Sequence, residues 1–426
     1  MAKSYLAGHL TQGLMQMNKL ATATTEILFD PVLDESFEFL QNPYPLFERY
    51  RAVSPVAWSG RGNQWIVTGF DEANQLLRDN NFGKKLELWK HPNPFMGGLM
   101  RFIRSSTTKN MLFLDPPDHT RVRTLVQGAF LPSIIRALEG HITEICEELT
   151  GDIQPGTEGD LIKQLAFPLP VTVIAELLGI PPADRDQFKH WSTVITASLK
   201  GNVCPFTAFK SFKASHELRN YLKKIVCLKR TQPANDLLSS LTQVQNQQEG
   251  RLSDDELLSN SVLILIAGHE TTVNLIGNGI YHLLQAPSQK QLLIEQPQLI
   301  DSAVEEFLRF DPPVQIVRRI CYKETLLGDK TIRAGEALTV LIGACNRDPR
   351  VFSDVDKLDI ERDKFKHLSF GGGIHYCLGA ELARSEARIA VSMLLRKFPD
   401  IRLQAPIMKY KAPFALRGLQ ELQVIY

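Results

Sequence analysis

The 426-residue chain lacks any apolar run able to cross a bilayer. Its longest, Val262–Gly268, falls far short of the roughly 20 residues a spanning helix needs. Met1–Ala21 sets Leu6, Leu10 and Leu14 among polar residues and has no sustained apolar stretch, so neither a secretory signal nor a membrane anchor is expected. Charge of one sign is also missing. With 48 basic and 47 acidic residues the net charge is +1, and no basic stripe stands out, which argues against a nucleic-acid partner. Cysteine is sparse: Cys146, Cys204, Cys227, Cys321, Cys345 and Cys377 are scattered, with no CxxC pair. That argues against a disulfide scaffold and for a reducing compartment, the cytoplasm. Repeats, low-complexity tracts, long linkers and any flavin or iron–sulfur motif are missing too.

What is present is mostly helical patterning with a little strand. Asn42-Pro43 opens a helix through about Tyr50, and short extended runs at Val56–Trp58 and Trp65–Thr68 flank turn residues. Helical periodicity then dominates, as in Thr120–Ala129, Ile134–Leu149 and Ala208–Lys229. A long apolar-periodic stretch runs from Asp254 to about Leu284, with Ser253 as N-cap and Glu256 three residues on. Another helix, Leu299–Phe310, stops before Asp311-Pro312-Pro313. A strand-rich patch at Thr325–Leu341 precedes a glycine-rich loop and a last helix from Cys377 to Lys397. The expected fold class is mainly α with a small β region (α+β): a single large domain over residues 31–426, after an N-terminal extension, 1–30, that is partly disordered.

One ten-residue window carries the strongest chemistry: Phe370-Gly371-Gly372-Gly373-Ile374-His375-Tyr376-Cys377-Leu378-Gly379. Glycines let backbone approach a flat cofactor closely. A cysteine at a helix N-terminus has its thiolate favoured by the helix dipole, and amides at Leu378 and Gly379 are placed to donate to the sulfur. A lone cysteine after a turn is usually structural, but here many features coincide.

The window, with Ala380, Leu382, Ala383, Arg384 and Glu386 after it, resembles the haem-binding loop of the cytochrome P-450 family. The resemblance implies a haem-thiolate monooxygenase of the soluble bacterial type, with a cytochrome P-450 fold. Its cofactor would be haem b (iron protoporphyrin IX), with Cys377 as the iron's axial ligand and Phe370, Gly371 and Gly379 in the cofactor-binding loop.

Three further segments extend it. Glu306 and Arg309 lie three apart, on one helix face. Such a pair is usually solvated, but the resemblance implies a structural network closed by Arg362. In Ala267-Gly268-His269-Glu270-Thr271-Thr272, the small Ala267 and Gly268 leave room for a ligand, and Thr271 can bond the Ala267 carbonyl and open the helix for a water. Glu270 beside Thr271 supplies the parts of a proton relay. The segment is similar to the family's oxygen-activation motif, which makes both catalytic residues, and His269 is expected to point away from the iron. Finally, His119 and Arg123 share a helix face and suit a carboxylate. The resemblance assigns them, with His375 and Arg319, to the haem propionates, although Arg318 competes with Arg319 in register. Ile180-Pro181-Pro182, Asn346-Arg347-Asp348-Pro349 and Leu416-Arg417-Gly418-Leu419 extend the resemblance over most of the chain. Cys345 departs from the usual alanine, as a neutral core substitution.

The activity so implied is insertion of one oxygen atom from dioxygen into an apolar small molecule, by hydroxylation or epoxidation, with electrons from a separate ferredoxin or flavodoxin. Cations at Arg121, Lys364, Lys366, Arg384 and Arg388 are expected to form the face that docks this partner. Candidate pocket residues are apolar and variable in setting: Trp89, Phe95, Met96, Leu99, Met100, Ile195, Ile264, Val314–Val317 and Pro413–Leu416. A peroxide-driven enzyme is disfavoured by the intact Glu270-Thr271 pair. A haem sensor would need an output domain, which is not visible, and a carrier with structural haem would consume no reductant.

Overall fold

The computed structural model describes residues 36–90, 109–197, 205–247, 252–363, 365–412 and 414–426. The N-terminal extension, Phe95, Met96, Leu99, Met100, Cys204, Lys364 and Pro413 lie outside the described residues.

The longer helices are α1 (Tyr44–Val53), α2 (Phe70–Arg78), α3 (Asp118–Val126), α4 (Pro132–Thr150), α5 (Pro168–Leu177), α6 (Arg185–Ala197), α7 (Pro205–Thr231), α8 (Leu237–Gln247), α9 (Asp254–Gln285), α10 (Pro287–Glu295), α11 (Ile300–Phe310) and α12 (Ala380–Lys397). Strands β1 (Val56–Ser59), β2 (Gln64–Val67), β3 (Phe82–Gly83), β5 (Ile316–Cys321) and β8 (Ala337–Leu341) form one sheet in the order β1-β2-β8-β5-β3. All its pairs are antiparallel except β2 with β8. Strands β4 (Glu158–Asp160), β9 (Arg402–Leu403) and β10 (Gln423–Ile425) form a second sheet, and β6 (Thr325–Leu327) and β7 (Lys330–Ile332) a hairpin.

Helix α9 organises the core. The Ser253 hydroxyl accepts from the Glu256 amide at 3.2 Å, and the Glu256 carboxylate accepts from the Ser253 amide at 2.8 Å. This reciprocal cap satisfies two amides that a helix start otherwise leaves unpaired. Beyond it nearly every face of α9 is covered, and Leu265, Ile276 and Ile280 are at most 1% exposed. Ridges from α5, α11 and α12 pack around it into one large apolar cluster. Helix α9 is assigned as one continuous helix from 254 to 285.

Candidate active site

The cysteine loop is built by its glycines. Gly371 and Gly373 have φ of +72° and +62°, which L side chains rarely adopt, and a Cβ on Gly373 would lie 2.5 Å from the Leu77 carbonyl oxygen at the end of α2. The Cys377 amide donates to the Phe370 carbonyl at 2.8 Å, closing the loop. Helix α12 begins only at Ala380, so Cys377 precedes it by three residues rather than opening it. The Gly379 amide works to hold the Cys377 thiol down. Burial pushes the Cys377 thiol up, against that amide and the charges of Arg123 and Arg384. Cys377 is exposed in this structure, and so is Ala267, in mid-helix between buried Ile264, Leu265, His269 and Glu270.

Four side chains expected to bind carboxylates come together. The rings of His119, on α3, and His375, in the loop, are 4.5 Å apart. Arg319 on β5 turns inward and is 3% exposed, whereas Arg318 is exposed, which settles which of the two faces the interior. Arg123 donates to the Tyr376 carbonyl at 2.7 Å. Burial, then the charges of Arg319, Lys84, His119 and Arg123, hold the His375 imidazole down to about 2. Burial and Arg123 also lower His119, and burial brings Arg319 to about 10. Both ring nitrogens of His119 and Nε2 of His375 are buried without a hydrogen-bond partner. Unpaired buried ring nitrogens among several cations, with Asp115 as the acid acting on Arg319 and His119, are costly alone. They fit a flat group bearing two carboxylates, and the sulfur of Cys377 fits its iron.

In α9, the Thr271 hydroxyl donates to the Ala267 carbonyl at 2.8 Å, as expected. Glu270 is 8% exposed and pairs with the ammonium of Lys411, a residue that sequence reasoning missed. Lys411 lies on the returning C-terminal segment, where its amide bonds the Gly418 carbonyl at 2.9 Å. His269 is fully buried against Ser192 of α6 (3.0 Å) and the Leu265 carbonyl (3.0 Å). A Cβ on Gly268 would lie 3.1 Å from Ile174 of α5, so its smallness also serves helix packing.

Behind the loop, Glu306 takes two hydrogen bonds from Arg309, each 2.7 Å, and one from Arg362 at 3.2 Å. Arg309 also donates to the carbonyls of Asn346, Val355 and Lys357, so the fully buried charges are all met. A second bracket was missed in sequence. Glu305 accepts from Arg384 at 2.6 Å and pairs with His367 at 3.1 Å. Burial works to raise the Glu305 carboxyl, but these two partners hold it down to about 2. The guanidinium of Arg384 also stacks over the Phe370 ring at 4.6 Å, fixing the loop's first residue. Cys345 is fully buried in the core.

The proposed docking cations fare worse. Arg121 pairs with Glu256 (2.5 Å), Arg384 with Glu305, and Arg388 with Glu139 (2.8 Å) and Asp301 (2.9 Å). Only Lys366 is an exposed cation of that set among the described residues. The basic patch expected from sequence is therefore largely neutralised by acids the linear reading did not place beside it.

Known proteins resemble this chain over most of its length. The sequence profile of the Cytochrome P450 family matches residues 202–417. The Vitamin D(3) 25-hydroxylase of Pseudonocardia autotrophica is 40% identical over 391 residues, covering 91% of this chain and 94% of that protein. P450BioI, solved with a hexadecenoic acid-ligated acyl carrier protein, superposes with a TM-score of 0.83 at 35% identity, over 92% of this chain and 100% of its own. CYP109E1 of Bacillus megaterium, solved with testosterone, gives 0.80 at 34% identity, over 90% and 99%. The chain belongs to the cytochrome P450 family: it is a haem b-dependent monooxygenase.

Proposed function

We propose that the protein inserts one oxygen atom from dioxygen into a C–H or C=C bond of a large apolar molecule, with electrons from a separate ferredoxin or flavodoxin. Bound haem supplies dioxygen activation, and the thiolate of Cys377 tunes it. In this reading His119, Arg123, Arg319 and His375 bind the propionates, while Phe370, Gly371 and Gly379 shape the loop around the sulfur. Glu270 and Thr271 hold and pass protons at a carboxylate and a neighbouring hydroxyl. Ala267 keeps that stretch of α9 low enough for oxygen and substrate to approach. Glu306, Arg309 and Arg362 hold the scaffold behind the loop and take no part in chemistry.

The observation that carries this reading is the buried cluster of unpartnered His119 and His375 nitrogens with Arg319. Substrate class rests on the relatives, one named for vitamin D(3) and others solved with a steroid or a fatty acyl group. A steroid, terpenoid, fatty acid or polyketide is the class to test. Titrating such compounds into the ferric protein should shift the haem spin state. Thr271→Ala should keep haem and that shift, go on consuming reductant, and divert oxygen to peroxide or water. Unchanged product yield would show that protons reach oxygen by another route.

A further inference from the structure

Helix α7 has two apolar faces where a surface helix needs one. Its inner face, with Ala214, Leu218, Leu222 and Ile225, is buried in the main core. On its outer face Phe206, Phe209 and Phe212 leave 66%, 65% and 73% of their surface in solvent. Spaced i, i+3, i+6, they form one stripe at the N-terminal end of the helix. Isolated exposed apolar residues are ordinary; three aromatic rings in a row are not.

The same outer surface is cationic. Lys210, Lys213, Lys223 and Lys224 are exposed along it. The acid among them, Glu217, is half-buried, accepts from the Trp191 ring nitrogen at 3.0 Å and pairs with Lys213 at 3.8 Å, which leaves Lys210, Lys223 and Lys224 as the cations it does not meet. Lys210 stands 4.3 Å over the Phe206 ring. On a chain of net charge +1 this is a local excess.

We propose that the outer face of α7 docks the protein on an anionic lipid surface, with Phe206, Phe209 and Phe212 entering the headgroup boundary and the lysines meeting lipid phosphates and carboxylates. Interfacial helices combine these features: apolar rings on one side and lysines whose stems lie along the surface while their ammonium groups stay wet. The geometry favours a plane over a protein. A lone helix face is convex, and a protein partner would need three preformed holes for the rings. A second copy of this chain, met across a two-fold axis, would set lysines against lysines. The docking is peripheral, since no helix among the described residues is long and apolar enough to span a membrane. It does not depend on the haem reading, and either can fail without the other.

The test is co-sedimentation of the purified holoprotein with phosphatidylcholine vesicles, with and without phosphatidylserine, at low and high salt. Binding is expected only with phosphatidylserine and should weaken with salt. Phe206→Ser/Phe209→Ser/Phe212→Ser should reduce it at least about ten-fold, and Lys223→Glu should reduce it by roughly five-fold or more. Haem content should not change, because these side chains are exposed. As a gain of signal, Phe209→Trp should blue-shift its fluorescence on adding anionic vesicles. No sedimentation, equal sedimentation on neutral vesicles, or wild-type binding by the triple serine variant would overturn the proposal. So would a dimer in solution that the triple variant dissolves, or capture by an acidic carrier protein in place of vesicles.

Discussion

Lys411 shows what a linear reading misses at the scale of one residue. Glu270 and Thr271 are adjacent, so their shared chemistry was legible. The cation that meets Glu270 arrives from 141 residues away, on a loop with no pattern of its own. Its ammonium fixes the carboxylate of a buried acid beside the Thr271 hydroxyl. Lys411→Met should leave haem content and substrate binding intact and lower product formed per reductant consumed by roughly ten-fold, since a general acid contributes about 10²–10⁴-fold. Lys411→Arg should restore most of it. Equal coupling in all three proteins would mean that Lys411 does not position the acid.

His375 allows a test by pH. The folded protein without haem holds this imidazole at about 2, whereas the unfolded chain titrates near 6.5. Between those values the unfolded state binds the extra proton, so stability rises with pH there and falls as pH drops below about 6.5. The slope is at most about 1.4 kcal/mol per pH unit for one such group. The urea midpoint of haem-free protein should therefore fall from pH 7.5 to pH 5.5, and His375→Gln should flatten that fall. Haem-loaded protein should fall less, because carboxylates favour the charged ring. An unchanged slope in His375→Gln would place the titration elsewhere. His119 and Arg123 share a helix turn, and the family resemblance added Arg319 and His375; Lys84, which also acts on this ring, had no signal in sequence because it meets the cluster only in the folded state.

At the scale of elements, helix α11 carries the structural network. Glu306→Ala would leave Arg309, which is fully buried, and Arg362 without their carboxylate. Loss of one partner of such a pair costs about 3–5 kcal/mol. The variant should express as aggregated or haem-poor protein, judged by haem absorbance per protein. Normal haem content with only altered turnover would contradict a structural role. Element existence was largely readable here. The Ser253–Glu256 cap and the Pro312-Pro313 stop mark helix ends by local chemistry, and the structure respects both. The start of α12 was misplaced because Tyr376–Leu378 stay in the loop, held by the bond from the Cys377 amide to Phe370, a contact that no local signal announces. The packing role of Gly268 was not legible for a related reason: only the position of Ile174 in the folded state reveals it.

For the whole molecule, the family and its site were legible because Cys377, Glu306–Arg309 and Glu270–Thr271 sit in short contiguous motifs. Surface electrostatics were not, because Arg121, Arg384 and Arg388 meet their acids only in the folded state. Any docking of an electron donor near the loop thus has Lys366 as its main unpaired expected cation among the described residues. The central claim is narrower than that surface: one sulfur, Cys377, holds the haem iron. Reduced protein exposed to carbon monoxide tests it most directly. Ligation by Cys377 predicts the far-red-shifted Soret band characteristic of a thiolate-ligated haem, and its loss in Cys377→His. A band at the position typical of histidine-ligated haem in the unaltered protein, or a far-red band surviving in Cys377→His, would contradict the account.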